Sequence, residues 1–329
     1  MIISKTPFRI SFVGGGSDME AFYGRCKGAV LSTSINKYMY ISSHQFFESD
    51  KIRTKYSRTE TVSRLEDLQH PILKEALRQH HITGGLEISS IADLPSGTGM
   101  GSSSSFTVGV LHNLAAVQNT LVSKEDLARG ACDIEINKLG EPIGKQDQYA
   151  AAYGGLNVIE FHSNGKVSVL PLYLSEERYQ QLQQHLCLYY IGNQRSASSI
   201  LTEQKKNVSA QDKHDALRQM VDLVYELRSV LMSGDLNNFG RLLHENWLLK
   251  QKLASGISNP LIGELYDTAM KNGALGGKLL GAGGGGFMLF FCPPQKQAQL
   301  DQALQKVRRF PFQFEQDGSS IIYYSYETS

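Results

Sequence analysis

Pro95-Ser96-Gly97-Thr98-Gly99-Met100-Gly101-Ser102-Ser103-Ser104-Ser105 sets three alternating glycines ahead of four serines. The small and apolar residues from Phe106 to Val117 follow at once and read as a buried helix. Glycines lack side-chain bulk and reach positive φ, so backbone N–H groups in such a loop can turn toward one anion. A helix opening on the loop adds unpaired N–H groups and partial positive charge. Serine hydroxyls can donate to phosphate oxygens or coordinate Mg2+. The segment is a candidate triphosphate cradle built from Pro95, Gly97, Gly99, Gly101, Ser102, Ser103 and Ser104. It is not a Walker A loop, because no Gly-Lys-Ser/Thr follows, and it lacks the acidic partner of a dinucleotide fingerprint. The same residues would also suit a serine-capped turn.

Working outward, residues 2–13 read as a strand that runs into Gly14-Gly15-Gly16, with further strands at 29–42 and 86–91. Ser123 opens a helix with a capping-box pattern, extending to about Lys138. Residues 155–161 and 166–170 suit a hairpin. Beyond a short helix near 175–185, Cys187–Gly192 reads as a strand. Residues 198–207, 212–232 and 235–254 carry helical spacing. Pro260 starts another helix, glycines crowd 273–286, and Phe287–Cys292 is a strand. A helix near 295–308 and a strand near 320–326 end the chain. The pattern is an α+β protein of two lobes, 1–175 and 176–329.

The 329 residues suffice for two cores. Thirty-three Lys plus Arg against 32 Asp plus Glu give no global pull toward nucleic acid or anionic lipid. Cys26, Cys132, Cys187 and Cys292 form no CxxC pair and read as reduced, mostly buried thiols. No signal-peptide pattern is visible, and apolar runs such as Phe287–Cys292 are too short to span a bilayer. The expectation is a cytoplasmic protein with no nucleic-acid or membrane partner.

Gly144-Lys145-Gln146-Asp147-Gln148 is the second chemical segment. A carboxylate near cations can accept a proton from a hydroxyl nucleophile, so Asp147 is a candidate base; it could equally cap a helix. Mg2+ takes one or two carboxylates beside phosphate oxygens. Glu135 is therefore either a metal ligand or part of a solvated helix face.

Three segments in order carry more than any one alone. Pro7-Phe8-Arg9-Ile10-Ser11-Phe12-Val13-Gly14-Gly15-Gly16-Ser17-Asp18, the 95–104 loop, and Lys278-Leu279-Leu280-Gly281-Ala282-Gly283-Gly284-Gly285-Gly286-Phe287 resemble the three motifs of the GHMP kinases. That family includes galactokinase, homoserine kinase, mevalonate kinase and phosphomevalonate kinase. The resemblance implies a ribosomal-protein-S5-like N-terminal lobe and a ferredoxin-like C-terminal lobe. It also implies ATP as phosphoryl donor, with Mg2+.

By the same resemblance, Asp147 is the catalytic base and Arg9 the arginine beside it. Ser103, or its neighbour Ser102 or Ser104, holds the metal with Glu135. Asp18 binds a sugar hydroxyl, with Gly15, Gly16 and Ser17 around it and Gly283 and Gly284 nearby. Within the family, residues 12–18, 144–155 and 192–198 resemble the branch that phosphorylates D-glycero-D-manno-heptose 7-phosphate on its anomeric hydroxyl. L-fucose kinase domains share much of this pattern, and a non-catalytic ATP and sugar sensor would keep the same fold. Where galactokinase has Glu-His, this chain has Gly15-Gly16, leaving room for a larger sugar. A sugar phosphate needs a cation near its far end. Lys138, Lys145 and Arg195 are the candidates, Arg195 foremost, unless it caps a helix or pairs with a carboxylate. A homodimer is left open.

Overall fold

A computed structural model describes residues 1–192, 198–208 and 210–325. Its strands are β1 (Ile2–Val13), β2 (Gly28–Gln45), β3 (Ile52–Lys55), β4 (Thr59–Val62), β5 (Leu86–Ala92), β6 (Leu156–Phe161) and β7 (Val167–Pro171). They continue with β8 (Leu186–Gly192), β9 (Gly276–Leu279), β10 (Gly286–Phe291), β11 (Arg308–Arg309), β12 (Phe314–Glu315) and β13 (Ser320–Tyr324).

β2 organises the first sheet. One of its edges pairs antiparallel with β1 along most of its length. The other edge carries β6 at residues 28–33, β12 at 34–35 and β5 at 39–45. The helix Ser102–Val117 packs on β1 and β2 among the helices Pro71–Gln79, Lys124–Cys132 and Gln146–Tyr153. Eleven of its 16 residues are buried, which explains why its sequence is apolar all round rather than on one stripe.

The second sheet has the antiparallel order β11-β8-β10-β9. Helices lie between β8 and β9 and between β10 and β11, so the chain order is the β-α-β-β-α-β of a ferredoxin-like lobe.

The structure refines two expectations. The helix near 295–308 stops at Ala303, because Arg308 and Arg309 pair with Tyr190 and Tyr189 of β8. The final strand joins β1, and β12 joins β2, so the chain tail returns to the first sheet. We propose the lobe boundary near 175, with residues 314–324 belonging to the first lobe.

That returning tail crosses the end of the Gln146–Tyr153 helix at very short range. Gly155 N–H donates to Glu315 O at 3.1 Å and Ser319 N–H to Ala151 O at 3.0 Å. A Cβ on Gly154 would lie 2.1 Å from the Asp317 carbonyl carbon, and Gly154 sits at φ +72°. We expect Gly154→Ala to lower the unfolding free energy by about 1–3 kcal/mol in a denaturant titration. Gly263→Ala, in a helix with open space around the added methyl, should instead stabilise by up to about 1 kcal/mol.

Candidate active site

Arg9 lies on β1 opposite Ser34 and is 4% exposed. Its Nε donates to Asp147 Oδ1 at 2.8 Å and one terminal nitrogen donates to Asp147 Oδ2 at 2.7 Å. The other terminal nitrogen donates to Gly99 O at 2.6 Å. A planar guanidinium matches a carboxylate in this two-bond geometry, which fixes the orientation of Asp147. Asp147 occupies the first turn of the Gln146–Tyr153 helix, and its side chain is 24% exposed toward the cavity.

The phosphate loop ends on Gly101, which caps the Ser102–Val117 helix at φ +75°. Gly97 and Gly99 also have positive φ, so the loop curls as expected. No acidic residue stands in the helix's first turn to compete with a bound anion.

Glu135 corrects the reading of a solvated helix face. The helix Lys124–Cys132 runs into a π-helical turn, Asp133–Lys138, which carries Glu135 inward to 1% exposure. Its carboxylate accepts from Ser103 Oγ at 2.7 Å, Ser104 Oγ at 2.8 Å and Gln148 Nε2 at 2.7 Å. Burial pushes its pKa up, against the pull of those three hydrogen bonds. No ion pair reaches it among the described residues. Asp18, 2% exposed, accepts from Gly16 N–H at 2.9 Å and Gln146 N–H at 3.2 Å. Burial, reinforced by nearby Asp147, raises its pKa too.

These groups line a cavity of about 310 Å3 together with Gly15, Gly16, Gly97, Ser102 and the loop residues Gly281 and Ala282. Gly99 and Gly281 touch through their backbones: a Cβ on Gly281 would lie 2.4 Å from Gly99 Cα. Other expected site residues stand outside this lining. Ser17 is buried and bonds the Gly14 and Ala29 carbonyls. The carbonyl of Pro95 accepts from Thr98 Oγ1. Gly283 and Gly284 lie against the Ile257 backbone. Lys138 pairs with Asp133. Lys145 lines a neighbouring cavity of about 900 Å3, which meets the first at Asp18, Met19 and Ile143. Arg195 lies outside the described residues.

Two buried lysines were not anticipated as site residues. Lys278 donates to Ser11 O at 2.7 Å, and Lys250 donates to Gly281 O at 2.9 Å. Both line the cavity. Burial lowers both pKa values; that of Lys250 is held at about 8, with Asp18 opposing the shift. A signal for Lys250 existed in the sequence. Phe239, Leu243, Asn246 and Lys250 recur at helical spacing, so a lysine stands where an apolar residue is expected. Gln204, buried and without a partner among the described residues, was also missed, and no local pattern marks it.

Comparison with known proteins agrees with this geometry. Residues 69–155 match the GHMP kinases N terminal domain, and residues 220–311 match the GHMP kinases C terminal description. Together these stretches cover more than half of the chain. The chain belongs to the GHMP kinase family. It is 28% identical to the D-glycero-alpha-D-manno-heptose 7-phosphate kinase of Campylobacter jejuni, over 96% of this chain and 97% of that protein. The crystal structure of a D-glycero-D-manno-heptose 1-phosphate kinase from Bacteroides thetaiotaomicron superimposes with TM-score 0.82 at 26% identity, covering 99% of this chain and 100% of that one. Lactococcus lactis galactokinase, at 18% identity, shares the fold with TM-score 0.76 over 97% of this chain and 94% of its own. Membership makes the protein an ATP-dependent phosphotransferase acting on an alcohol group. No described helix is long and apolar enough to cross a membrane.

The lysine inside this kinase site has a stability consequence. Lys250 titrates near 10.5 in the unfolded chain and near 8 in the fold. Between those values the unfolded chain keeps a proton that the fold has released, so stability rises with pH across that window. We expect Lys250→Met to be more stable than the wild type at pH 7. The gain should be on the order of 2 kcal/mol once the lost bond to Gly281 O is counted. Chemical denaturation should show this difference shrinking from pH 8 toward pH 10.5.

Proposed function

We propose that the protein transfers the γ-phosphoryl group of ATP to the anomeric hydroxyl of a heptose 7-phosphate, giving the 1,7-bisphosphate. The observation that carries the reading is the Arg9–Asp147 pair set directly against Gly99 of the phosphate loop. A carboxylate held this close to the phosphate loop supports a base beside the terminal phosphoryl group.

In this reading the triphosphate lies along Gly97–Ser104, bound by loop N–H groups and the helix N-terminus. The sugar hydroxyl points at Asp147. Each Asp147 oxygen spends one lone-pair direction on Arg9 and keeps another for the hydroxyl proton. As the sugar oxygen attacks the γ-phosphorus, the bond from that phosphorus to the β–γ bridging oxygen breaks and ADP leaves; the hydroxyl proton passes to Asp147, and Arg9 stabilises the charge that develops beside it. Asp18 receives a second sugar hydroxyl. The donor set fits Mg2+: a buried carboxylate without a cationic partner, flanked by serine hydroxyls, offers only hard oxygen ligands. Glu135 with Ser103 or Ser104 would hold the ion, which would neutralise phosphate charge.

The substrate's own phosphate finds cations in the adjoining cavity, where Lys145, Lys166 and Lys205 stand on the wall beyond Asp18. Lys145 reaches across the Tyr23 ring at 4.9 Å and donates to Gly165 O. The names of the Campylobacter and Bacteroides relatives support a heptose phosphate as acceptor.

An ADP-release screen should cover heptose 7-phosphate, the unphosphorylated heptose, fucose, galactose and mannose. We expect kcat/KM for heptose 7-phosphate to exceed that for the free heptose by roughly 10-fold or more, as charge-assisted hydrogen bonds predict. Equal use of the two would overturn the heptose 7-phosphate assignment, and fucose as the best acceptor would replace it.

Asp147→Asn keeps the side-chain shape but loses the base. Its kcat should fall by about 10² to 10⁴-fold while ATP affinity, read by calorimetry, stays within a few-fold. A variant keeping half of the wild-type kcat would leave Asp147 as a positioning group only.

A further inference from the structure

Above Gly15 the cavity wall carries no side chain, and three polar groups converge on the gap. A Cβ built on Gly15 would lie 3.7 Å from Lys250 Nζ, 3.7 Å from Gln146 Nε2 and 3.8 Å from Ser11 Oγ. The groups come from three separate elements: β1, the start of the Asp147 helix, and the Asn237–Gln251 helix of the second lobe. Their hydrogen-bonding capacity is not used up within the protein. Among the described residues, Ser11 Oγ and Gln146 Oε1 are buried without a partner. Lys250 spends one N–H on Gly281 O and keeps two. Buried polar groups in this state are expensive unless a ligand completes them.

The donor and acceptor inventory at the gap suits a sugar hydroxyl. Lys250 only donates, and Gln146 offers one amide donor side and one acceptor oxygen. The Gln146 atom that faces the gap is the amide Nε2, so Lys250 and Gln146 both present donors to it, and Ser11 Oγ can donate or accept. A sugar hydroxyl can accept from Lys250 and Gln146 while donating to Ser11 Oγ, so one hydroxyl serves all three groups. The charged neighbours of Lys250 are Arg9, Asp18, Asp147 and Lys278, and none forms an ion pair with it among the described residues. The lysine is thus held in the wall at a cost to the fold, with its Nζ beside the gap over Gly15.

We propose that the niche above Gly15 is a hydroxyl subsite of the acceptor sugar, and that Lys250, with Ser11 and Gln146, determines which sugar is accepted. The missing side chain at Gly15 makes the room, and the lysine from the other lobe supplies the recognition. Sugar binding here also couples the two lobes, because the hydroxyl bridges β1 and the Asn237–Gln251 helix. The inference rests on the kinase reading only in taking a sugar as acceptor.

The test therefore uses whichever sugar the wild-type enzyme phosphorylates best, so that rejection of heptose 7-phosphate leaves it readable. Sugar affinity is measured by calorimetry without nucleotide, and sugar and ATP KM values by steady-state kinetics. Gly15→Ala puts one methyl into the niche at ordinary van der Waals distance and without positive φ. Lys250→Met removes the donor. Each should weaken sugar binding by about 10- to 100-fold, with ATP KM changed less than about threefold. Singly deoxygenated sugars identify the hydroxyl: deleting the right one should weaken wild-type binding by the same factor and leave Lys250→Met unaffected. Unchanged sugar affinity in Gly15→Ala overturns the niche. A joint rise of both KM values in Lys250→Met, or equal sensitivity of wild type and variant to every deoxygenation, reduces Lys250 to a structural tie for the Gly281 loop. If Lys250→Met does not fold, Gly15→Ala with the deoxygenated sugars decides alone.

Discussion

Arg9 is the side chain on which the arrangement depends. One guanidinium joins three segments that are far apart in sequence: β1 that carries it, the phosphate loop through Gly99 O, and the Asp147 helix through both carboxylate oxygens. Its backbone N–H also bonds Met100 O at 3.1 Å. Because the fork is rigid and buried, the loop and the carboxylate cannot move independently. In the proposed reading this fixes the distance between a bound phosphoryl group and Asp147 before any substrate arrives, the form of preorganisation that phosphoryl transfer rewards.

Around that fork the protein buries charge at a cost. Asp18 and Glu135 are pushed up and Lys250 and Lys278 pushed down by desolvation. A fold selected only for stability would place apolar groups there. Perturbed groups gathered in one cavity are the physical mark of a candidate functional site.

The second lobe takes part directly. Lys278 and Lys250 reach the cavity from it, Asn246 Oδ1 accepts from Gly14 N–H, and Gly281 rests on Gly99. The backbone contact between the two glycine loops leaves no space for a Cβ on either side. That explains a glycine run otherwise readable as a flexible linker.

Much of this was legible in the sequence. Alternating glycines before serines specify a curled loop that opens a helix, because positive φ and a helix N-terminus are properties of the residues themselves. Three motifs in order specified the family and its two lobes, and with them Arg9, Asp147, Asp18 and Ser103. Strand and helix periodicities located most elements, since each depends on spacing within one segment. The tertiary structure alone decided the rest. The return of β12 and β13 to the first sheet is a long-range pairing with no local signature. Glu135 turns inward through a π-helical turn that spacing does not announce. Gly283 and Gly284 belong to the motif but face Ile257 instead of the cavity, and Lys145 opens on the neighbouring cavity. Lys250, Gln146 and Ser11 meet only because two lobes pack around one glycine. The sequence determined the chemistry each segment can offer; which groups share a cavity depends on how segments tens or hundreds of residues apart pack together, and local residue spacing carries no record of that.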